Sequence, residues 1–382
     1  MLVELHMIQN FAPSNLNRDD TGSPKDCEFG GVRRARISSQ CIKRAIRREF
    51  KQNGLLDSER IAERTRLVTQ EIADRLARLG RDREQATRVA GFLLSAAKLK
   101  VDNSQRTEYL LFLGRGEIDA ITALCNERWD QLAPLADQSL SDQSNDKKKA
   151  AQQVPADMSR ELLARLDGGK AADLALFGRM LADLPDKNID AASQVAHAIS
   201  THRVSIEFDF YTAVDDLQPE SETGAGMMGT VEFNSACFYR YSNVSMEQLM
   251  TNLQGDKELA LKTLEAFIHA SVRAIPTGKQ NSMAAHNPPS MVFAVVREGA
   301  PWSLANAFAR PVAPGREEDL VGRSIQALDS YWGKLVSVYG GDDIRKKALI
   351  TLEDVPLQHL GDARVETVKA LVEQVVAAVG GA

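Results

Sequence analysis

Read as a pattern of apolar and polar positions, the chain opens with period two and soon changes to the helical period. Residues 3–9, VELHMIQ, alternate as a strand does. After a long loop, Ile42, Ala45, Ile46 and Phe50 recur at helical spacing, with no Pro or Gly between Ser39 and Gly54, which predicts an amphipathic helix that Ser38 or Ser39 can cap. From about Ser58 to Leu184 the pattern stays helical, in IAERTRLVTQEIADRLARL, EQATRVAGFLLSAAKL and DLALFGRML, and reads as an inserted helical lobe. Within it DQSLSDQSNDKKKAAQQ lacks apolar periodicity and reads as a mobile loop between helices. Period two returns at 204–214, breaks at DDLQPESETGAGMMG and resumes in TVEFNSACFYRYSNV, which predicts two extended arms around a polar, Gly-rich tip. GDKELALKTLEAFIHASVRAI reads as a helix and MVFAVV as a buried strand, and the remainder, including LVGRSIQALDSYWGKLVSVY and RVETVKALVEQVVAAV, as mostly helical. The class is α+β, with the pieces of a β-α-β-β-α-β core. No internal repeat is visible, so any repetition must come from assembling copies.

Composition narrows the chemistry. At 382 residues and 43% hydrophobic, the chain is long enough for a substantial core and more than one lobe. No apolar run approaches a membrane span and the N-terminus lacks the features of a signal peptide, so the expectation is a cytoplasmic protein without a membrane partner. Cys27, Cys41, Cys125 and Cys237 lie far apart with no CxxC pair, which predicts reduced, space-filling thiols and neither disulfides nor a zinc site. The formal net charge is −5. A polyanion would therefore have to be held on a local patch.

That patch is visible. Between Val32 and Lys51 stand eight Lys or Arg and one acid. On a helix of about 100° per residue, Gln40, Lys43, Arg44, Arg47 and Lys51 share an arc roughly 100° wide, opposite the apolar positions. No acid stands at i+4 to Lys43, Arg44 or Arg47, so intrahelical pairs do not neutralise the face. The segment GGVRRARISS adds three guanidinium groups near the positive end of the helix, a setting suited to phosphate. A solvated face is the plain alternative; the charge excess in an acidic protein favours phosphate-backbone binding.

Other motifs weigh less. GAGMMG, residues 224–229, has the letters of a dinucleotide fingerprint but follows acids and precedes a strand, the wrong context. It reads as a hairpin tip whose apolar Met227 and Met228 ask for a partner, either a neighbouring subunit or nucleic acid. PTGKQNS lacks the first glycine of a P-loop; Lys279 and Gln280 in that loop fit an RNA or subunit contact and a plain surface equally well. Asp19 and Asp20 beside Arg18 are the one enzymatic candidate, a carboxylate pair able to help hold Mg²⁺. No second acidic cluster or apposed base accompanies them, which favours a loop-stabilising role with Arg18 or Arg33. The six histidines show no ligand spacing, so no metal or cofactor is expected.

The blocks SNLNRDD, PKDCEFGGVRRARISSQ followed by KRAIR, AHAISTH, FYTAVDDLQ, FYRY and LANAF, in order from about residue 4 to about 333, resemble the CasC family, the repeated backbone subunit of the type I-E CRISPR Cascade complex. The resemblance implies a modified RNA-recognition-motif (ferredoxin-like) palm at 1–57 and 241–382. It also implies inserted helical fingers at 58–185, a connection at 186–203 and a β-hairpin thumb at 204–240. It implies that Lys25, Ser38, Gln40, Lys43 and Arg47, with Arg18 nearby, hold backbone phosphates and sugars of the guide RNA (crRNA). Phe210, Tyr211 and Val214 would be inserted against the guide, and Met180 would stand beside displaced bases. Adjacent Phe210 and Tyr211 face opposite sides of a strand, so both cannot enter one core. The implied function is a non-catalytic scaffold. Copies would assemble head to tail on the guide and display it to a target DNA strand, beside large, small, end-capping and guide-processing subunits. The alternatives are a metal-dependent endoribonuclease using Asp19 and Asp20, and a single-strand RNA-binding protein outside any CRISPR system.

Overall fold

The first strand, β1 (Leu2–Ser14), is buried throughout residues 3–9, although its sequence carries Glu4, His6 and Gln9. Both faces of the strand are covered, and Glu4, His6 and Gln9 each find a partner within the chain, His6 through Nδ1 alone. The computed structural model describes residues 1–141, 156–213, 227–315 and 319–381. They form two compact units, one of Met1–Leu55, Ser193–Met246 and Leu264–Ala382, the other of Leu56–Ala192 and Glu247–Thr263.

The first unit is built on an antiparallel sheet. Its strands are β1, β2 (Asp26–Phe29) and β3 (Val32–Ile37) before the basic helix α1 (Ser39–Gln52). The short strands of the second unit, β4 (Glu63–Thr65) and β5 (Leu111–Leu113), come next in the chain. The sheet then continues with β6 (Ser193–Val195), β7 (Ala198–Ser200), β8 (Glu207–Ala213), β9 (Met227–Ser245), β10 (Met291–Arg297) and β11 (Ile344–Thr351). The strand order is β11-β10-β1-β9-β7-β3-β2, with β6 and β8 also paired to β9. β1 lies between β10 and β9, in the registers Leu2↔Arg297 to Ile8↔Met291 and Leu2↔Ser245 to Phe11↔Ala236.

One face of this sheet carries Ile8, Tyr239, Phe293 and Leu349 against Ile325, Leu328 and Trp332 of the helix Leu320–Tyr339. Glu4 and His6 share that face with Ile8, as period two requires. Glu4 accepts from Tyr241 Oη at 2.7 Å and Trp302 N at 2.7 Å and pairs with Arg297 at 3.5 Å. His6 Nδ1 meets Tyr239 Oη at 2.9 Å. At the same strand's other face Met7 stands with Ile42 and Ile46 of α1.

Two sequence expectations change here. The long loop before α1 contains the hairpin β2–β3, hidden because its strands are short and RRAR masks any apolar alternation. The C-terminal region, expected to be mostly helical, contributes the edge strand β11, whose charged residues Arg345, Lys346 and Lys347 suit an exposed sheet edge.

The second unit is mainly helical. Val68–Arg78, Arg83–Ala96, Arg115–Glu127 and Trp129–Ser141 bury a core that includes Ile72, Leu76, Val89, Leu93, Ile121 and Leu132. The polar stretch beginning at Asp137 enters the last of these helices; residues 142–155 lie outside the described residues. This unit also holds a buried ion pair: Glu117 accepts from Arg179 at 2.8 and 2.9 Å, from Gly114 N at 2.8 Å and from Gly168 N at 2.7 Å.

Candidate nucleic-acid interface

Helix α1 buries Ile42, Ala45, Ile46 and Phe50, the four positions its sequence period marks. Gln40, Arg44 and Lys51 are exposed, and Lys43 and Arg47 are half-buried. The first turn holds no acid and the last turn holds Lys51, so the positive helix end is left uncompensated and the negative end is matched. Burial lowers the pKa of Lys43, as it does for any ammonium group held away from water. Lys43, Arg47 and Lys51 each also have interactions within the chain.

The serine ahead of the helix behaves differently from expectation. Ser38 occupies the N-cap position with extended backbone but makes no side-chain capping bond. Its amide donates to Asn17 Oδ1 at 2.8 Å, and its buried Oγ has no hydrogen-bond partner among the described residues.

The three guanidinium groups of RRAR do not gather at the helix end. Arg34 is fully buried and donates to the carbonyl oxygens of Phe29, Ser200, Phe308 and Ala309. Arg33 pairs with Asp26 at 2.5 Å, and Arg36 donates to Asp26 O and meets His197 Nδ1. Asp26, the carbonyl oxygens around Arg34 and His197 engage these groups, so fewer cations stay open to an anion than the sequence run suggests, although Arg33 remains exposed.

Residues 15–25 form a stapled loop beside α1. Asp19 Oδ1 accepts from Thr21 N, Thr21 Oγ1 and Ser23 N at 2.9, 2.8 and 2.9 Å. These bonds, led by that from the Thr21 hydroxyl, hold its carboxyl below the usual range. The loop-stabilising partner of Asp19 is therefore its own loop rather than Arg18 or Arg33. Asn15 ties the loop down by donating to Gly22 O and Glu232 O. Lys25 follows the loop, half-buried, and both Lys25 and Arg44 oppose the burial-driven rise of the Cys41 thiol pKa, which places both cations near the start of α1.

The loop carrying Lys279 closes against the same segment. A Cβ on Gly278 would stand 2.4 Å from Leu16 O and 2.6 Å from Asn15 O, so only glycine permits this backbone approach. Lys279 is left-handed, with φ 52°. Residues 16–22, α1 and Pro276–Gly278 together line an open cleft of about 550 Å³. Among the described residues, no group of three or more His, Cys, Asp or Glu side chains is arranged to hold a metal.

The apolar candidates lie elsewhere. β8 pairs with the outer part of β9 as a ribbon, in the register Glu207↔Phe233 to Ala213↔Met227, and every β8 residue is exposed. Phe210 and Tyr211 are thus on opposite, open faces. Directly opposed residues share a face, so Phe208, Phe210 and Met228 lie on one side and Tyr211 on the other, its ring across Gly229. Met227 and Met228 belong to the ribbon arm rather than its tip; Val214 and residues 215–226 lie outside the described residues. Met180, in the helical unit, is 84% exposed immediately after buried Arg179. Sequence reasoning missed Phe208 and Arg48, although each lies one period from a residue it did select: two before Phe210, four after Arg44.

Comparison with known proteins bears on the whole chain. The CT1975-like protein family matches residues 3–377. A chain of a solved "CRISPR RNA-guided surveillance complex, pre-nicking" is 35% identical, with 99% of this chain and 100% of that chain covered and a TM-score of 0.82. A chain of a second "CRISPR RNA-guided surveillance complex" is 30% identical over 99% and 100%, with a TM-score of 0.74. No curated protein matches. Matched almost from end to end, and carrying the blocks its sequence shares with CasC, the chain belongs to the CT1975-like, CasC-like family.

Proposed function

We propose that this protein is a non-catalytic backbone subunit of a type I-E CRISPR surveillance complex, binding guide RNA through its phosphate backbone in the cytoplasm. The observation that carries the reading is α1: four apolar residues hold one face in the core while Gln40, Lys43, Arg44 and Arg47 stand on the other, beside Lys25. Backbone contacts ignore base identity, so any spacer can be carried with its base edges left for a target DNA strand. Similarity to chains of two RNA-guided surveillance complexes supports the assignment.

The first unit serves as an RNA-recognition-motif-like palm. The order β10-β1-β9-β7 supports this, with α1 between β1 and β7 in the chain and the helix Lys257–Arg273 between β9 and β10. The helical unit serves as fingers, presenting Met180. The β8–β9 ribbon serves as a thumb that reaches the next copy and sets Phe210 and Tyr211 against the guide. Lys279 borders the same RNA. Such head-to-tail contacts are heterologous and give an open helical filament, to which the other Cascade subunits attach.

Sequencing the RNA that co-purifies with the protein tests the system: repeat-derived guides of uniform ends are expected, and a random transcript population would favour a general RNA-binding protein. In the nuclease alternative Asp19 Oδ1 is already taken by its own loop, and among the described residues no third His, Cys, Asp or Glu joins Asp19 and Asp20 in a metal-holding group. Labelled RNA incubated with Mg²⁺ should stay intact with wild type and with D19N/D20N. Mg²⁺-dependent cutting by wild type alone would replace the scaffold reading with an endoribonuclease.

A further inference from the structure

Helix α1 carries its cations in two rows. Lys43 and Arg47 are four residues apart and form one; Arg44 and Arg48 form the second, rotated by about 100°. Only the second row lines the cleft of about 550 Å³, which also receives Arg18 from the stapled loop. Arg18 and Arg44 are exposed and Arg48 is half-buried. No ion pair or side-chain hydrogen bond with a described residue holds any of the three. This contrasts with RRAR, whose arginines are consumed by carbonyl groups and Asp26.

We propose that this cleft is a second phosphate-binding site, holding a backbone phosphate of the same RNA strand whose neighbouring segment lies on the Lys43–Arg47 row. The inference rests on the RNA-binding reading above and adds to it a separate subsite and a new residue, Arg48. With side chains set on a helix about 10 Å across, the rows stand on the order of 8 Å apart, so each takes its own phosphate. Asp19 and Asp20 also line the cleft. Against two carboxylates, three guanidinium groups leave a small positive excess, so affinity has to come from directed two-pronged hydrogen bonds rather than bulk charge. Guanidinium groups supply that fork and ammonium groups do not, which is why the choice of Arg at all three positions matters. A strand held by both rows turns over the helix instead of running along one side of it.

The test compares R44Q/R48Q with K43Q/R47Q in the full-length protein, using single-stranded RNA of a trinucleotide and a decanucleotide, with circular dichroism to confirm the fold. Each double variant should flatten the slope of log affinity against log salt for the decanucleotide by about 1.4, two contacts at about 0.7 each. For wild type, lengthening the RNA should raise affinity more than it does for R44Q/R48Q. R44K/R48K should restore the slope but only part of the affinity. If K43Q/R47Q weakens binding while R44Q/R48Q leaves affinity, slope and length dependence unchanged, the second subsite is wrong and the guide-binding reading stands. If neither variant changes anything, or wild type does not bind RNA, the parent reading is wrong as well. If R44Q/R48Q loses affinity only for duplex DNA, the cleft serves another strand and the proposal is overturned.

Discussion

Single residues show how context converts the same chemistry into opposite roles. Arg34 is fully buried and spends its guanidinium on carbonyl oxygens, whereas Arg44, ten residues later, is exposed beside an open cleft. Arg179 and Met180 repeat the contrast as neighbours. Replacing Arg179 with Met strands the buried Glu117 carboxylate and should destabilise the helical unit by about 3–5 kcal/mol, because an uncompensated buried charge remains. Met180→Ala, at an 84% exposed position, should stay within about 0.5 kcal/mol. Urea titration of both variants checks this, and equal costs would show that the Glu117–Arg179 pair does not anchor the unit. His6 supplies a pH signature. Burial, with a smaller contribution from Arg297, lowers its pKa from 6.5 to about 3. The unfolded chain then binds the proton first, so this contribution is complete above pH 6.5 and is lost as pH falls toward 3. The slope within that window approaches about 1.4 kcal/mol per pH unit. Glu4, raised by burial, acts in the opposite direction above its normal value, so the wild-type curve alone is a sum. The difference between wild type and His6→Phe isolates the histidine: the variant's stability should fall less between pH 6.5 and 4, and parallel curves would contradict the assignment.

At the scale of elements, α1 and the β8–β9 ribbon are complementary devices. α1 is half core and half surface, so its cations can be removed without opening the sheet. Lys43→Ala with Arg47→Ala should weaken RNA binding uniformly across sequences and flatten the salt slope, by about 0.7 per lost phosphate contact. A changed base preference at an unchanged slope would mean that these residues read bases instead. The ribbon has no core side: every residue of β8 is exposed, and Phe208 and Phe210 stand on one face at 67% and 64%. Two aromatic rings two residues apart on one strand form a stacking surface. Base stacking on a side chain is worth about 1–3 kcal/mol per base, so Phe208→Ala with Phe210→Ala should weaken single-stranded RNA binding while leaving the thermal midpoint nearly unchanged. A drop in midpoint without an affinity change would place the rings in a fold contact. Tyr211 should tolerate replacement less well than Phe210 as a structural matter, because its ring lies over Gly229 of the partner strand.

For the whole molecule, β9 is the organising element. Its inner part, Asn234 to Ser245, is zipped to β1, and its outer part, Met227 to Phe233, leaves the sheet to pair only with β8 among the described residues. The ribbon is therefore an extension of a central strand and inherits its direction from the core. Replacing Gln218–Gly229 by a tight turn should preserve the folded monomer, since the described part of this segment contributes no buried residue. Short RNA should still bind through α1, while periodic nuclease protection on long guides should disappear. Electron micrographs of the shortened protein showing ordinary filaments with the same RNA periodicity would remove the ribbon from the inter-subunit contact.

How much of this was legible before the fold was known follows from range. The chain itself determined what depends on neighbours within a few residues: the apolar face of α1, the buried strand MVFAVV, the two arms of the ribbon, the helical run after Ser58 and the basic patch. The family blocks were equally legible, because motif order survives in a linear string. Tertiary structure alone decided which charges remain available. Arg34 loses its guanidinium to Phe29, Ser200, Phe308 and Ala309, three of them more than 160 residues away, and no local pattern encodes such an encounter. The same holds for the cleft itself. That cleft exists because Gly278 lets a loop far away in the chain settle on Leu16. Short-range periodicity specifies elements because backbone geometry repeats every two or 3.6 residues; charge availability is decided by desolvation and partner geometry, which only the assembled core supplies.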